Sequence, residues 1–313
     1  MKIVFFGTSE FAVPILKALV KSPAFDIVCV VTEPAKPQGR AKVVTPSPVE
    51  QAAQAAKLEV YTPATLKDEA VRVAINDREA DVYVVASYGK IIPQEIFDSP
   101  PLKTLNIHAS LLPEYRGASP IQQTLLEGRE RAGVTLIRID EQVDHGPILS
   151  QDEIIVAPTD IYTSLEAKLA KLGAEMLVRD LPGYGSGILP LEEQDHDVAT
   201  YTRKITKEDG RADWSRPAHE LYNQWRAYER WPGLYTSTSP ADGNLRLNLI
   251  TVNMTEHSGP QIPGTFYAED GKLYVRAARG SLKILAVQPE GRREMSAKDF
   301  INGYKQLIGT VLR

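Results

Sequence analysis

Met1-Lys2-Ile3-Val4-Phe5-Phe6-Gly7-Thr8-Ser9-Glu10-Phe11-Ala12 opens the chain and sets its fold class. Residues 3–6 are apolar without interruption, the pattern of a strand covered on both faces. Phe11, Ile15, Leu16 and Leu19 then recur at helical spacing, and 27–31 is the next apolar strand. The βα rhythm continues outward. Ser47 before Pro48 predicts a capped helix over 47–57. Thr65, with Asp68 three residues on, predicts the start of a helix running to Ile75. Residues 82–86 and 104–108 read as further buried strands, 133–139 and 147–155 as two more, and 160–179 as a long amphipathic helix. Repeated βα units with near-continuous apolar strands imply an α/β fold on a mostly parallel sheet, with ligands bound beyond the carboxyl ends of its strands.

The glycine turn after the first strand is where a dinucleotide fingerprint would lie. Gly7-Thr8-Ser9-Glu10-Phe11-Ala12 lacks the second and third glycines, so neither nicotinamide nor flavin is expected. The sequence has no P-loop and no H-x-x-x-H or C-x-x-C pair, and no metal is expected. No run approaches the roughly 18 apolar residues of a membrane span. A single cysteine, Cys29, and a start without a signal-peptide pattern point to the cytoplasm.

The pattern changes near Pro182. The Gly-rich run 182–187 and the polar stretch 192–200 read as a linker, dividing the chain into a catalytic domain (1–189), a linker (190–206) and a C-terminal domain (207–313). Beyond a helix at 218–228, short strands at 234–238, 245–252, 264–267, 272–277 and 281–287 suggest a small β-barrel of the OB type. Asp242-Gly243 and Asp270-Gly271 are hairpin turns, and a helix at 296–308 closes the chain. The formal charge is −4, unevenly spread: residues 207–313 hold 15 Lys/Arg against 12 Asp/Glu (+3), leaving 21 against 28 (−7) in 1–206. This surplus permits a polyanionic partner for the C-terminal third.

Asn106 and His108 lie two apart on a strand and therefore share a face. A hydrogen-bonded structural histidine is the plain alternative to a catalytic one. The loop Asp140-Glu141-Gln142-Val143-Asp144-His145-Gly146-Pro147 joins two strands of the same sheet, and an Asp144 folded back toward His108 would fix the ring. An amide, an imidazole and a carboxylate, with no serine or cysteine placed as nucleophile, suit acyl transfer to an attacking substrate amine or water.

Asn106-x-His108-x-Ser110-Leu111-Leu112-Pro113-x-Tyr115-Arg116-Gly117, followed by Asp144-x-Gly146, resembles the signature of the folate-dependent formyltransferases. That resemblance implies a Rossmann-like catalytic domain without a nucleotide, and 10-formyltetrahydrofolate as co-substrate. It implies Asn106 as stabiliser of the tetrahedral oxyanion, His108 as acid/base and Asp144 as its orienting partner. It places Ser110, Leu111, Leu112 and Pro113 along the folate, with Ala86, Ser87, Tyr88 and Gly89 giving contacts to the pterin.

Further stretches resemble the branch of that family that formylates initiator methionyl-tRNA: residues 32–49 as its insertion loop, Ser87-Tyr88-Gly89-Lys90-Ile91-Ile92-Pro93, and Pro263-Gly264-Thr265, 288–295 and 299–303 near the C-terminus. Ala41 stands where Gly is usual there, and Pro147 where Asp is common. By this resemblance Lys36, Arg40 and Lys42 meet the tRNA from the loop, and Lys207, Arg211, Lys272, Arg276, Arg292 and Arg293 from the C-terminal domain. Trp214, Trp225 and Trp231 are expected to pack rather than stack on bases. The protein is expected to act as a monomer. A formyltransferase for a sugar nucleotide or glycinamide ribonucleotide, and a non-catalytic RNA-binding protein, are the rival readings.

Overall fold

A computed structural model describes residues 1–38, 43–239, 243–257, 259–260 and 262–313. Arg40, Lys42 and Asp242 therefore lie outside the described residues. The chain divides into two compact units: residues 1–120, 131–155 and 166–202 form the first, and 121–130, 156–165 and 203–313 the second.

The first unit begins with β1 (Lys2–Gly7), α1 (Ala12–Lys21) and β2 (Asp26–Val31), as the apolar runs require. A small hairpin of β3 (Lys36–Gln38) and β4 (Val43–Thr45) precedes α2 (Pro48–Ala55). Ser47 caps α2 by accepting the Glu50 N–H at 2.9 Å, with Pro48 in the first turn. After β5 (Val60–Tyr61), α3 (Glu69–Asn76) starts later than Thr65 suggested. The Thr65 hydroxyl instead accepts from Lys67 N in a local turn, and Asp68 makes no side-chain cap. There follow β6 (Val82–Ala86), α4 (Gln94–Phe97), β7 (Thr104–His108), β8 (Arg116–Gly117), α5 (Pro120–Leu126, of which all but Pro120 belongs to the second unit), β9 (Arg131–Arg138), β10 (Ile148–Ile155), α6 (Tyr162–Gly185, in the first unit from Glu166 on) and β11 (Tyr201–Thr202).

The main sheet has the order β10-β9-β7-β6-β1-β2-β5. Its five central and edge strands β7, β6, β1, β2 and β5 are parallel, and β9 and β10 add antiparallel pairs beside β7. The chain winds outward from β1 to β2 and β5, then returns to β6 and β7 on the other side. The carboxyl ends of β1 and β6 therefore flank the switch point where such sheets bind ligands. Close packing requires Gly7: a Cβ there would lie 2.8 Å from the Phe5 ring, 2.9 Å from the Ala12 methyl and 3.1 Å from Ala86 O.

Two sequence expectations fail in this unit. Residues 182–185 of the Gly-rich run are helix, the end of α6, because the apolar stripe of that helix continues through buried Leu177 and Leu181. The polar stretch after it belongs to the first unit as far as Thr202. Glu192 bridges to Ile148, and β11 pairs in parallel with β8.

The second unit contains α7 (Ala218–Tyr228), β12 (Leu234–Ser237), β13 (Arg246–Thr255), β14 (Phe266–Glu269), β15 (Lys272–Arg276), β16 (Ser281–Pro289), β17 (Met295–Ser296) and α8 (Ala297–Gly303). The strands form an antiparallel sheet of order β12-β13-β16-β15-β14, with β17 on β16. Its core gathers Trp214, Leu221, Leu249, Phe266, Leu282 and Phe300. Asp270 and Gly271 both have positive φ (49° and 68°), the backbone a two-residue hairpin demands. Trp214 and Trp225 pack as expected, their indole N–H groups donating to Thr236 Oγ1 and Ile250 O at 3.0 Å each. Trp231 does not, and is 53% exposed. Among the described residues no helix is long and apolar enough to cross a membrane.

Candidate active site

The last residues of β7 carry the site. Asn106 and His108 sit on one face of the strand, and one oxygen of Asp144 serves both. Asn106 Nδ2 donates to Asp144 Oδ1 at 3.3 Å, and His108 Nδ1 faces the same oxygen at 3.5 Å. The second distance is an ion-pair contact rather than a tight hydrogen bond. The other carboxylate oxygen accepts the Gly117 N–H at 2.8 Å. Asp144 itself has φ +52°, a conformation that Asp and Asn tolerate better than most residues.

His108 is buried, and its Nε2 lies 3.0 Å from Tyr115 O. A carbonyl only accepts, so Nε2 carries the ring proton. Nδ1 is then the nitrogen that can take a second proton, and it would do so facing a carboxylate. The Asn106 amide has two N–H groups. One is used on Asp144, and the second is available to an oxygen that gains charge in the cleft. The β9–β10 loop is pressed close enough for this because Gly146 has no side chain: a Cβ there would lie 1.9 Å from Arg138 O.

The segment after β7 turns partly inward. The buried Ser110 hydroxyl donates to Glu114 O at 2.6 Å, and Ser110 O accepts from Thr135 Oγ1 at 2.6 Å. Leu112 is buried, its N–H donating to Thr135 Oγ1 at 3.1 Å, whereas Leu111 and Pro113 are half-buried. At the switch point Ala86 is buried, Ser87 and Gly89 are exposed, and Tyr88 is half-buried with its ring edge against Phe6. The hydroxyls of Thr8 and Tyr88 are both buried without a hydrogen-bond partner. Burial, reinforced by the nearby Glu33 carboxylate, pushes the Tyr88 hydroxyl far above its ordinary range and keeps it a neutral donor.

The basic residues are scattered. Lys36 is paired with Glu33 at 2.7 Å. Lys207, Arg211, Lys272, Arg292 and Arg293 are exposed, and Arg276 is instead half-buried, donating to Gly280 O at 2.8 Å in its own turn. Two residues of the site carry no signal that sequence reasoning used for them: Arg116, read only as part of the motif, and Gln194, read as linker. Both are buried beside Asp144, and burial of an isolated polar residue leaves no periodic trace.

A doubly wound sheet with an amide–imidazole–carboxylate cluster at the end of β7 suits a group-transfer enzyme of the acyl type. The formyl transferase family model matches residues 1–181, and the model for the formyl transferase C-terminal domain matches 204–305. The chain belongs to the formyl transferase family.

Its relatives narrow the branch. The methionyl-tRNA formyltransferase of Methylococcus capsulatus is 41% identical over 304 residues, 97% of each chain. That of Caldicellulosiruptor saccharolyticus is 39% identical over 314 residues, 100% of each. Among solved structures, HypX from Aquifex aeolicus in complex with tetrahydrofolic acid superposes with a TM-score of 0.65 at 15% identity, covering 98% of this chain and 48% of that one, and shares the fold.

Proposed function

We propose that this enzyme transfers the formyl group of 10-formyltetrahydrofolate to the α-amine of methionine esterified to initiator tRNA, in the cytoplasm and as a monomer. The observation that carries the reading is Asp144 Oδ1 joining Asn106 and His108 in a chain that matches methionyl-tRNA formyltransferases from end to end. The two unpartnered hydroxyls at the switch point, Thr8 and Tyr88, fit a polar heterocycle held by Ala86, Ser87, Tyr88 and Gly89, with Ser110, Leu111, Leu112 and Pro113 lining the approach.

10-Formyltetrahydrofolate supplies the formyl carbon and a leaving nitrogen. As the methionyl amine forms its bond to that carbon, the free N–H of Asn106 meets the oxygen that gains charge. His108 Nδ1 takes the proton shed by the amine and returns it to the departing nitrogen, while Asp144 holds the ring and balances its charge. Lys36, Arg40 and Lys42 would meet tRNA phosphates, as would Lys207, Arg211, Lys272, Arg292 and Arg293 on the second unit. That unit's sheet supports the OB-like barrel reading through the register breaks of β13 at Leu249–Val252, since such bulges bend and coil a sheet.

Incubation with 10-formyltetrahydrofolate and charged initiator tRNA should give N-formylmethionyl-tRNA; absence of that product would overturn the proposal. Arg40→Ala should raise KM for tRNA and flatten its salt dependence, leaving kcat at saturation nearly intact. An unchanged KM would remove Arg40 from the tRNA contacts.

A further inference from the structure

The amide of Gln194 is spent completely, between Arg116 on one side and the Asp144 turn on the other. The side chain is 5% exposed. Its Oε1 accepts from Arg116 Nε at 3.1 Å and from Arg116 Nη2 at 2.7 Å. Its Nε2 donates to Asp144 O at 2.9 Å and to Gly146 O at 2.7 Å. The guanidinium is all donor and the carbonyls are all acceptor, so the amide has only one orientation that satisfies both sides. The two carbonyls bracket the turn that carries the catalytic carboxylate.

Arg116 closes the circuit. It is 1% exposed, and it is held on its far side by His196 Nδ1 at 2.8 Å and Tyr201 Oη at 3.3 Å. Its neighbour Gly117 donates its N–H directly to Asp144 Oδ2. One strand, β8, therefore grips Asp144 twice: at the carboxylate through Gly117, and at the backbone through Arg116 and Gln194. The backbone grip falls on a residue with positive φ, whose conformation needs outside support to persist.

We propose that Gln194, oriented by Arg116, is a positioning residue for formyl transfer. It fixes the Asp144 turn so that the carboxylate stays on Asn106 and His108, and its loss acts on turnover through Asp144 alone. This rests on the function proposed above.

The test is a double-mutant cycle. Gln194→Glu preserves size and the bonds to Arg116 but sets an oxygen against the Asp144 and Gly146 carbonyls. In the full-length enzyme this should lower kcat for formylation of charged initiator tRNA by about 10–100-fold, with KM for either substrate changed less than about threefold. In an Asp144→Asn background the same change should cost less than about threefold, because the group it positions is already gone. A merely structural brace would lower activity equally in both backgrounds, and that result, or a kcat within about threefold of wild type, overturns the proposal. If Gln194→Glu does not fold, Gln194→Met keeps the volume and leaves Arg116 its bonds to His196 and Tyr201, and the same criteria apply. An inactive wild type overturns the reading of function instead, whereas an active wild type with an indifferent variant overturns only the role of Gln194.

Discussion

Asp144→Asn isolates the charge of the carboxylate from its shape. Asparagine tolerates the positive φ at this position, so the turn keeps its backbone. One oxygen remains, and the shortest bond, to Gly117 N at 2.8 Å, is the one most favoured to retain it. The new NH2 then points at the Asn106 amide and at His108 Nδ1, two groups the carboxylate had served at 3.3 and 3.5 Å. In the proposed mechanism the negative charge assigned to balance His108 is then gone, and a donor faces the nitrogen assigned to take the proton. Loss of a proton-transfer partner of this kind costs about 10²–10⁴ in rate, or about 2.7–5.4 kcal/mol of transition-state stabilisation. The folded state loses little, so Tm should fall by no more than about 4 °C. Initial rates of N-formylmethionyl-tRNA formation at saturating substrate give kcat, and a melting curve gives the control. A kcat within tenfold of wild type, or a defect confined to KM, refutes the role assigned to Asp144.

Gly146→Ala should damage the same loop by steric means: its Cβ must displace Arg138 O, destabilising the protein by about 1–3 kcal/mol and lowering kcat, which thermal melting and turnover report together. Cys29 is buried and its thiol is pushed upward chiefly by burial, so alkylating reagents at pH 8 should leave it intact until the protein unfolds; modification of native protein would contradict this. The hydrogen bond from Arg203, aided by Thr206, holds the Asp209 carboxyl well below the usual carboxylate range. A depressed value stabilises the fold above the unfolded pKa of about 4 and is lost as pH falls through the folded one. Asp209→Asn should therefore lower Tm by about 2–4 °C at pH 7, modest because Arg203 is exposed, and the gap should narrow toward pH 3.

What could be read from the chain was whatever local chemistry repeats or caps. The apolar run at β1, the Ser47–Pro48 helix start and the Asp270-Gly271 turn each follow from forces acting within a few residues, and the structure has all three. Asn106 and His108 on one face needed only the alternation of a strand. The approach of Asp144 needed topology and the family resemblance as well, and Gly146 lets the loop lie against Arg138. Misreadings fall where tertiary packing overrides composition. Residues 182–185 look like a flexible run but finish α6, and 192–200 look solvated but include Gln194, buried by partners from two other segments. Trp231 errs the other way, an aromatic ring left largely in solvent. No window of sequence contains the information that buries Gln194, since its neighbours in space are 48–78 positions away.

The division of the chain bears on the order in which it is made. Five boundaries, after residues 120, 130, 155, 165 and 202, pass the chain between units, so neither unit is one continuous stretch. During synthesis the first unit has all its residues once Thr202 has emerged, yet 121–130 and 156–165 must wait for α7 and the strands that follow. Arg226 shows what they wait for: its buried guanidinium donates to Asp160 O at 2.6 Å and to Ala157 O at 3.0 Å. A ribosome-bound chain ending before α7 thus lacks the guanidinium that both carbonyls receive in the finished fold. Equally, no single cut releases the second unit intact, and a recombination event that swapped only residues 203–313 would inherit an arginine cut for carbonyls on someone else's loop.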